Sequence, residues 1–106
     1  MTYRVTHTTG AMDADYPVDR FPVLLDELAK ADGEHADVAV SHESEWTLTI
    51  GRSGVLILEN VEDEDPMHVG PIGRSATLEL MTALAHGRLD DVRSMPWVEG
   101  YPPRRK

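Results

Sequence analysis

Five residues that can bind metals or move protons crowd one short stretch of the chain: His35, Asp37, His42, Glu43 and Glu45, with His68 further on. Imidazole and carboxylate together suit zinc. A zinc site, however, is usually announced by paired ligands at i, i+2 or i, i+4 plus a third ligand fixed by the fold, and no two histidines stand at that spacing. His35 and His42 stand seven residues apart across an intervening apolar segment. The run Glu59-Asn60-Val61-Glu62-Asp63-Glu64-Asp65 holds five acids in seven residues. It lacks the spaced Asp/Asn ligands, central glycine and distal glutamate of a calcium loop. No metal ligand set is therefore assigned.

Nucleophilic chemistry is equally unprovided for. There is no cysteine, and Ser41 and His42, adjacent on an extended segment, project to opposite faces. Neither Gly51-Arg52-Ser53-Gly54 nor Gly70-Pro71-Ile72-Gly73-Arg74 has phosphate-loop spacing, and the first has the length of a hairpin turn. Paired carboxylates are plentiful, but an acid–base pair needs environments that push its two pKa values apart, which a solvated acidic run does not supply. The expectation is a protein without catalytic residues or cofactor, acting by binding.

Charge says what it would bind. The 106 residues carry 19 acids and 10 bases, a formal charge of −9. From Glu34 to Asp65 there are nine acids and one base, Arg52, so that nearly the whole excess falls in less than a third of the chain. Such a concentration repels phosphate backbones and attracts basic protein surfaces. It serves equally as a solvated surface that aids solubility. The candidate partner-binding residues are Glu43, Glu45, Glu59, Glu62, Asp63, Glu64 and Asp65, and the partner class is a basic protein, with neither nucleic acid nor membrane expected.

The elements that would position these acids follow from periodicity. Trp46, Leu48 and Ile50 alternate with Glu45, Thr47 and Thr49, which predicts a strand with one apolar face. After Gly51-Arg52-Ser53-Gly54, the run Val55 to Leu58 predicts a second strand covered on both faces. Residues 2 to 8 read as an edge strand and residues 9 to 15 as a loop. Val18, Phe21, Leu24, Leu25 and Leu28 make one helical stripe, with Asp19 as N-cap, Pro22 in the first turn and Gly33 as terminator. Asp37 to Ser41 predicts a short strand that turns at His42-Glu43-Ser44 into the hairpin, and Pro66 to Pro71 a further strand. A second helix spans about Ser75 to His86, with Leu78, Met81, Leu84 and Ala85 inward, Ser75 as cap and Gly87 beyond its end. A return segment, Arg88 to Val98, whose last part is a candidate short strand, then leads to a charged tail; Trp46 is assigned to the core, and Trp97 either closes the core, the preferred reading, or stands exposed as an interface anchor.

The expected fold is α+β, a mostly antiparallel sheet of four to five strands with two α-helices packed on one face. It forms a single domain, residues 1–106, with its core in 17–98 and a tail at 99–106. The N-terminus lacks the apolar stretch of a signal peptide, no run approaches a membrane span of roughly 18 apolar residues, and a cytoplasmic location is expected.

The helix bearing Leu-Leu-x-Glu-Leu (Leu24 to Leu28), the strand Gly-Val-Leu-Ile-Leu-Glu-Asn (Gly54 to Asn60), the late helix ending at His86-Gly87 and Met-Pro-Trp-Val (Met95 to Val98) follow one another in a set layout. In that layout, over roughly residues 17 to 98, the chain resembles the Imm1-type immunity proteins of bacterial polymorphic toxin systems. The resemblance implies a small cytoplasmic domain that neutralises a cognate toxin, often one acting on nucleic acid. It transfers no binding residue. The alternative expectation is a regulatory or structural adaptor that forms a homodimer through the edge strand at residues 2 to 8 or the exposed side of the hairpin.

Overall fold

Alternation of apolar and polar residues builds most of the sheet. In the computed structural model, which describes residues 3–31, 36–60 and 66–100, Val5, Val38, Val40, Leu48, Ile50, Leu56 and Leu58 are all buried. Their polar neighbours in sequence turn to the opposite face. The strands are β1 (Tyr3–Thr6), β2 (Met12–Ala14), β3 (Asp37–His42), β4 (Trp46–Gly51), β5 (Leu56–Asn60), β6 (Met67–Val69) and β7 (Val98–Glu99). They form one antiparallel sheet in the order β2-β1-β3-β4-β5-β6-β7.

The α+β class is as expected, but the sheet has seven strands where four to five were anticipated. β2, three residues long, falls in the stretch expected as a loop, and β7, two residues long, falls at the end of the return segment where a short strand was a candidate. β2 also changes the standing of β1. Residues 9–15, expected as a loop, fold back so that Val5 pairs with Asp13 on one side and Val40 on the other. β1 is thus an interior strand, and the edge on which homodimerisation through residues 2 to 8 depended is occupied.

The central hairpin forms as expected, with Leu48 opposite Leu58 and Ile50 opposite Leu56. Its turn requires Gly54, at φ +97°, where an added Cβ would lie 3.2 Å from the Pro71 side chain. The two-sided cover expected for Val55 to Leu58 is absent: Leu56 and Leu58 are fully buried, whereas Val55 and Ile57 are only half-buried. Among the described residues the helices lie on one face of the sheet only, so apolar runs and alternating strands bury the same single face.

On the covered face lie α1 (Phe21–Lys30), α2 (Arg74–Ala85) and a short α3 (Leu89–Arg93). A 3-10 turn at Val18–Arg20 precedes α1, so Arg20 stands at the N-cap position instead of Asp19, and no side chain caps the helix. Pro22 sits in the first turn, where its missing N–H costs nothing. The helix stops at Lys30, with Ala31 already extended; Gly33, expected as terminator, lies outside the described residues. Phe21, Leu24, Leu25 and Leu28 are its buried stripe.

Gly73, not Ser75, is the N-cap residue of α2, and the Thr77 hydroxyl donates back to the Gly73 carbonyl at 2.7 Å. Its inward side is broader than expected, adding Thr77, Leu80 and Ala83 to Met81, Leu84 and Ala85, while Leu78 is half-buried. Gly87 adopts φ +75° after the helix, as expected. Arg74 bonds the Pro22 carbonyl and the Asp26 carboxylate, each at 3.1 Å, tying α2 to α1. α3 was not anticipated. It buries Val92 and brings Arg93 over the Trp46 ring, 5.6 Å from its centroid. Trp46 and Trp97 are both partly buried at the border of the core rather than within it. No described helix is long and apolar enough to cross a membrane.

Candidate protein-binding face

The antiparallel register gathers the acids that the sequence scatters. Glu43 and Glu45 occupy the turn between β3 and β4, and Glu59 lies on β5 opposite Thr47, at the end of β5 away from the β4–β5 turn and beside the β3–β4 turn. Asn60 and Pro66, which flank residues 61–65, border the same end, since Asn60 pairs with Trp46 and Met67 with Leu58. Three of the seven expected partner-binding residues therefore share one end of the sheet. Glu62, Asp63, Glu64 and Asp65 lie outside the described residues, as does Glu34. Asp37 is at the far end of the hairpin, opposite Gly51.

The turn itself is strained. Glu45 has φ +77°, a left-handed conformation that costs a non-glycine residue about 1–2 kcal/mol. It is held there by its N–H donating to the His42 carbonyl at 3.0 Å. His42, expected in the turn, instead ends β3 and is buried, 8% exposed as a residue. Ser44 caps the His42 ring: its N–H donates to Nδ1 at 3.0 Å and its hydroxyl lies 2.7 Å away. Nδ1 is thereby an acceptor, which puts the neutral ring's proton on Nε2, and Nε2 has no hydrogen-bond partner among the described residues.

Ser41 turns to the other face, as alternation requires, and its hydroxyl meets that of Thr47 at 3.1 Å. Adjacent Ser41 and His42 consequently form no dyad. Ala14, Arg4, Ser41, Thr47 and Glu59 are register partners in one row across five strands on the uncovered face. A cleft of about 380 Å³ opens there, lined by Arg4, Ser41 and Thr47 together with Tyr3, His42, Glu43 and Glu45. Burial, and then the nearby charge of Asp15, push the Tyr3 phenol above its ordinary value, and its hydroxyl donates to the Tyr16 carbonyl.

A second polar cluster escaped the sequence reading. The His7 ring lies 2.7 Å from Asp13 through Nε2 and 3.1 Å from both Glu27 carboxylate oxygens through Nδ1. Hydrogen bonding to Asp13 is the main cause that raises the His7 pKa; burial opposes it, and the bond and charge of Glu27 add to it. For Glu27, burial works upward but is outweighed by the Thr8 N–H and His7 bonds, so its pKa is lowered. Both ring nitrogens face carboxylates, which makes the cluster a clamp between the β1–β2 hairpin and α1. Spacings of six and 20 residues left no local signal for it.

No group of three or more ligating side chains suited to a metal occurs among the described residues, and His35 lies outside them. No family model, curated protein or solved structure matches the chain.

Proposed function

We propose that the protein is an acidic binding domain of the immunity type, which neutralises a basic, nucleic-acid-targeting toxin by occluding its cleft from a cytoplasmic location. The observation that carries this reading is the meeting of Glu43, Glu45 and Glu59 at one end of a rigid hairpin. A toxin that handles nucleic acid has a basic cleft, and an acidic ridge can take the place of phosphates there. Long-range attraction then accelerates encounter. The charge of −9 supports the same attraction, and a strained glutamate at the tip supports a turn shaped for contact before stability. One face of a domain this size can supply the roughly 800 Å² of a standard interface.

Co-expression tests the reading. The protein is expected to restore growth to cells making the toxin domain encoded beside its gene. Rescue should weaken in Glu43→Lys/Glu45→Lys and in Glu62→Lys/Asp63→Lys/Glu64→Lys, and association should slow steeply as salt rises. Absence of an adjacent toxin gene, or full rescue by both charge-reversed variants, would overturn it.

A further inference from the structure

The acidic end of the sheet contains a cation that a simple acidic surface does not need. Arg4 lines the cleft with Glu43 and Glu45, and it forms no hydrogen bond or ion pair among the described residues through its side chain. Beside it in the register row stand the paired hydroxyls of Ser41 and Thr47. Of two hydroxyls bonded to each other one donates, leaving the second O–H free to turn toward a ligand. The cleft is thus dipolar, with the exposed Arg4 side chain and the half-buried hydroxyls along the strands and the exposed carboxylates at the turn. Strands about 4.8 Å apart put the Arg4 and Thr47 backbones roughly 10 Å from each other, wide enough for one extended segment between them.

We propose that this cleft receives a partner segment in which a carboxylate side chain is flanked by basic ones, the carboxylate going to Arg4 and the hydroxyls, the bases to Glu43 and Glu45. The inference rests on the acidic-domain reading above and adds the selection rule. An acid and a base two residues apart on an extended segment point the same way, about 7 Å from each other. A uniformly cationic surface meets Arg4 as a like charge without an acceptor for it, so Arg4 discriminates against nonspecific basic proteins while the acids attract.

Two peptides separate this from plain charge attraction: acetyl-Lys-Ala-Asp-Ala-Lys-amide and acetyl-Lys-Ala-Ala-Ala-Lys-amide, titrated at low salt into isotope-labelled full chain with backbone amide shifts as readout. Overall charge alone ranks the second peptide first, because it is the more cationic. The cleft ranks the first ahead by roughly two- to fivefold, the range of an exposed ion pair, with saturable shifts at Arg4, Ser41 and Thr47. Arg4→Gln should invert the order and Arg4→Lys should retain it. Equal or tighter binding of the alanine peptide to the unaltered protein, with shifts at Glu43 and Glu45, overturns the selection rule and leaves the acidic-domain reading standing. Absence of shifts at Glu43 and Glu45 with either peptide overturns both.

Discussion

The Nδ1 atom of His7, just beyond β1, lies 3.1 Å from both carboxylate oxygens of Glu27 on α1. With Asp13 on the other ring nitrogen, the ring when protonated is held between two acids, and Tyr16 closes the site edge-on, 5.4 Å from the imidazole. The ring is 15% exposed, so water screens the cluster only in part. Its consequence for stability follows from the two directions of shift. The His7 pKa is raised above 6.5, so its contribution is complete below 6.5 and is lost as pH climbs through the folded-state value. The Glu27 pKa is lowered below 4.5, so its contribution is complete above 4.5 and is lost as pH falls through the folded-state value. Both are fully present only between these limits. The melting temperature is expected to fall as pH rises from about 6 to about 9, and the same series in His7→Gln to be flatter over that interval. Parallel curves for the two proteins would show that the clamp does not stabilise the fold.

The one-sided sheet sets unequal sensitivities along β5. Leu58 is fully buried against the helices while Ile57, its neighbour, is half-buried on the face that carries none. Leu58→Ala should lose about 2–5 kcal/mol through lost burial and the cavity left behind, and Ile57→Ala about 1 kcal/mol, near the centre of the range for point substitutions. Denaturant titration of both variants measures the difference. Equal losses would mean that a second layer covers the open face in solution.

Glu45 should tolerate glycine better than its own side chain. At φ +77° glycine relieves the left-handed strain of about 1–2 kcal/mol, offset in part by the roughly 0.5–1 kcal/mol of extra entropy glycine loses on folding. Glu45→Gly is therefore expected to match or exceed the parent in stability by up to about 1.5 kcal/mol, while association with a basic partner slows. Chemical unfolding and stopped-flow mixing read the two effects separately. A variant both less stable and equally fast to bind would remove Glu45 from the contact and the strain from the turn.

What could be read from sequence depended on how much chain each feature occupies. Trp46, Leu48 and Ile50 span enough residues for alternation to show, and Phe21, Leu24, Leu25 and Leu28 enough for a helical stripe. β2 and β7 offer three and two residues, and α3 five, at most one and a half cycles of the strand or helix period and too few for the pattern to stand out. The run Val55 to Leu58 misled because an apolar residue on a half-covered strand does not require a second layer. For the acids, composition gave the quantity of charge, but only the pairing of Thr47 with Glu59 brings β5 alongside the Glu43–Glu45 turn. Arg4 drew no notice because nothing local links it to Ser41 and Thr47; their adjacency is a property of register across three strands.

Trp97 ties the segment after α3 back to that helix through its ring nitrogen. Its indole Nε1–H donates to the Val92 carbonyl at 2.8 Å, one of the last-turn carbonyls that a helix leaves without an internal donor. α3 has only five residues, so it cannot persist on intrinsic propensity and depends on such outside contacts. Trp97→Phe keeps most of the apolar area but removes the donor, and is expected to cost about 1 kcal/mol. The damage should be local. Hydrogen exchange should accelerate in α3, while β3 and β4, whose core residues are buried far from the indole contact in sequence, keep their protection. Met95 and Val92 would be the first apolar groups to gain exposure, and Arg93 would leave the Trp46 ring. Uniform acceleration across the sheet would instead make Trp97 part of the cooperative core, as the sequence alone suggested.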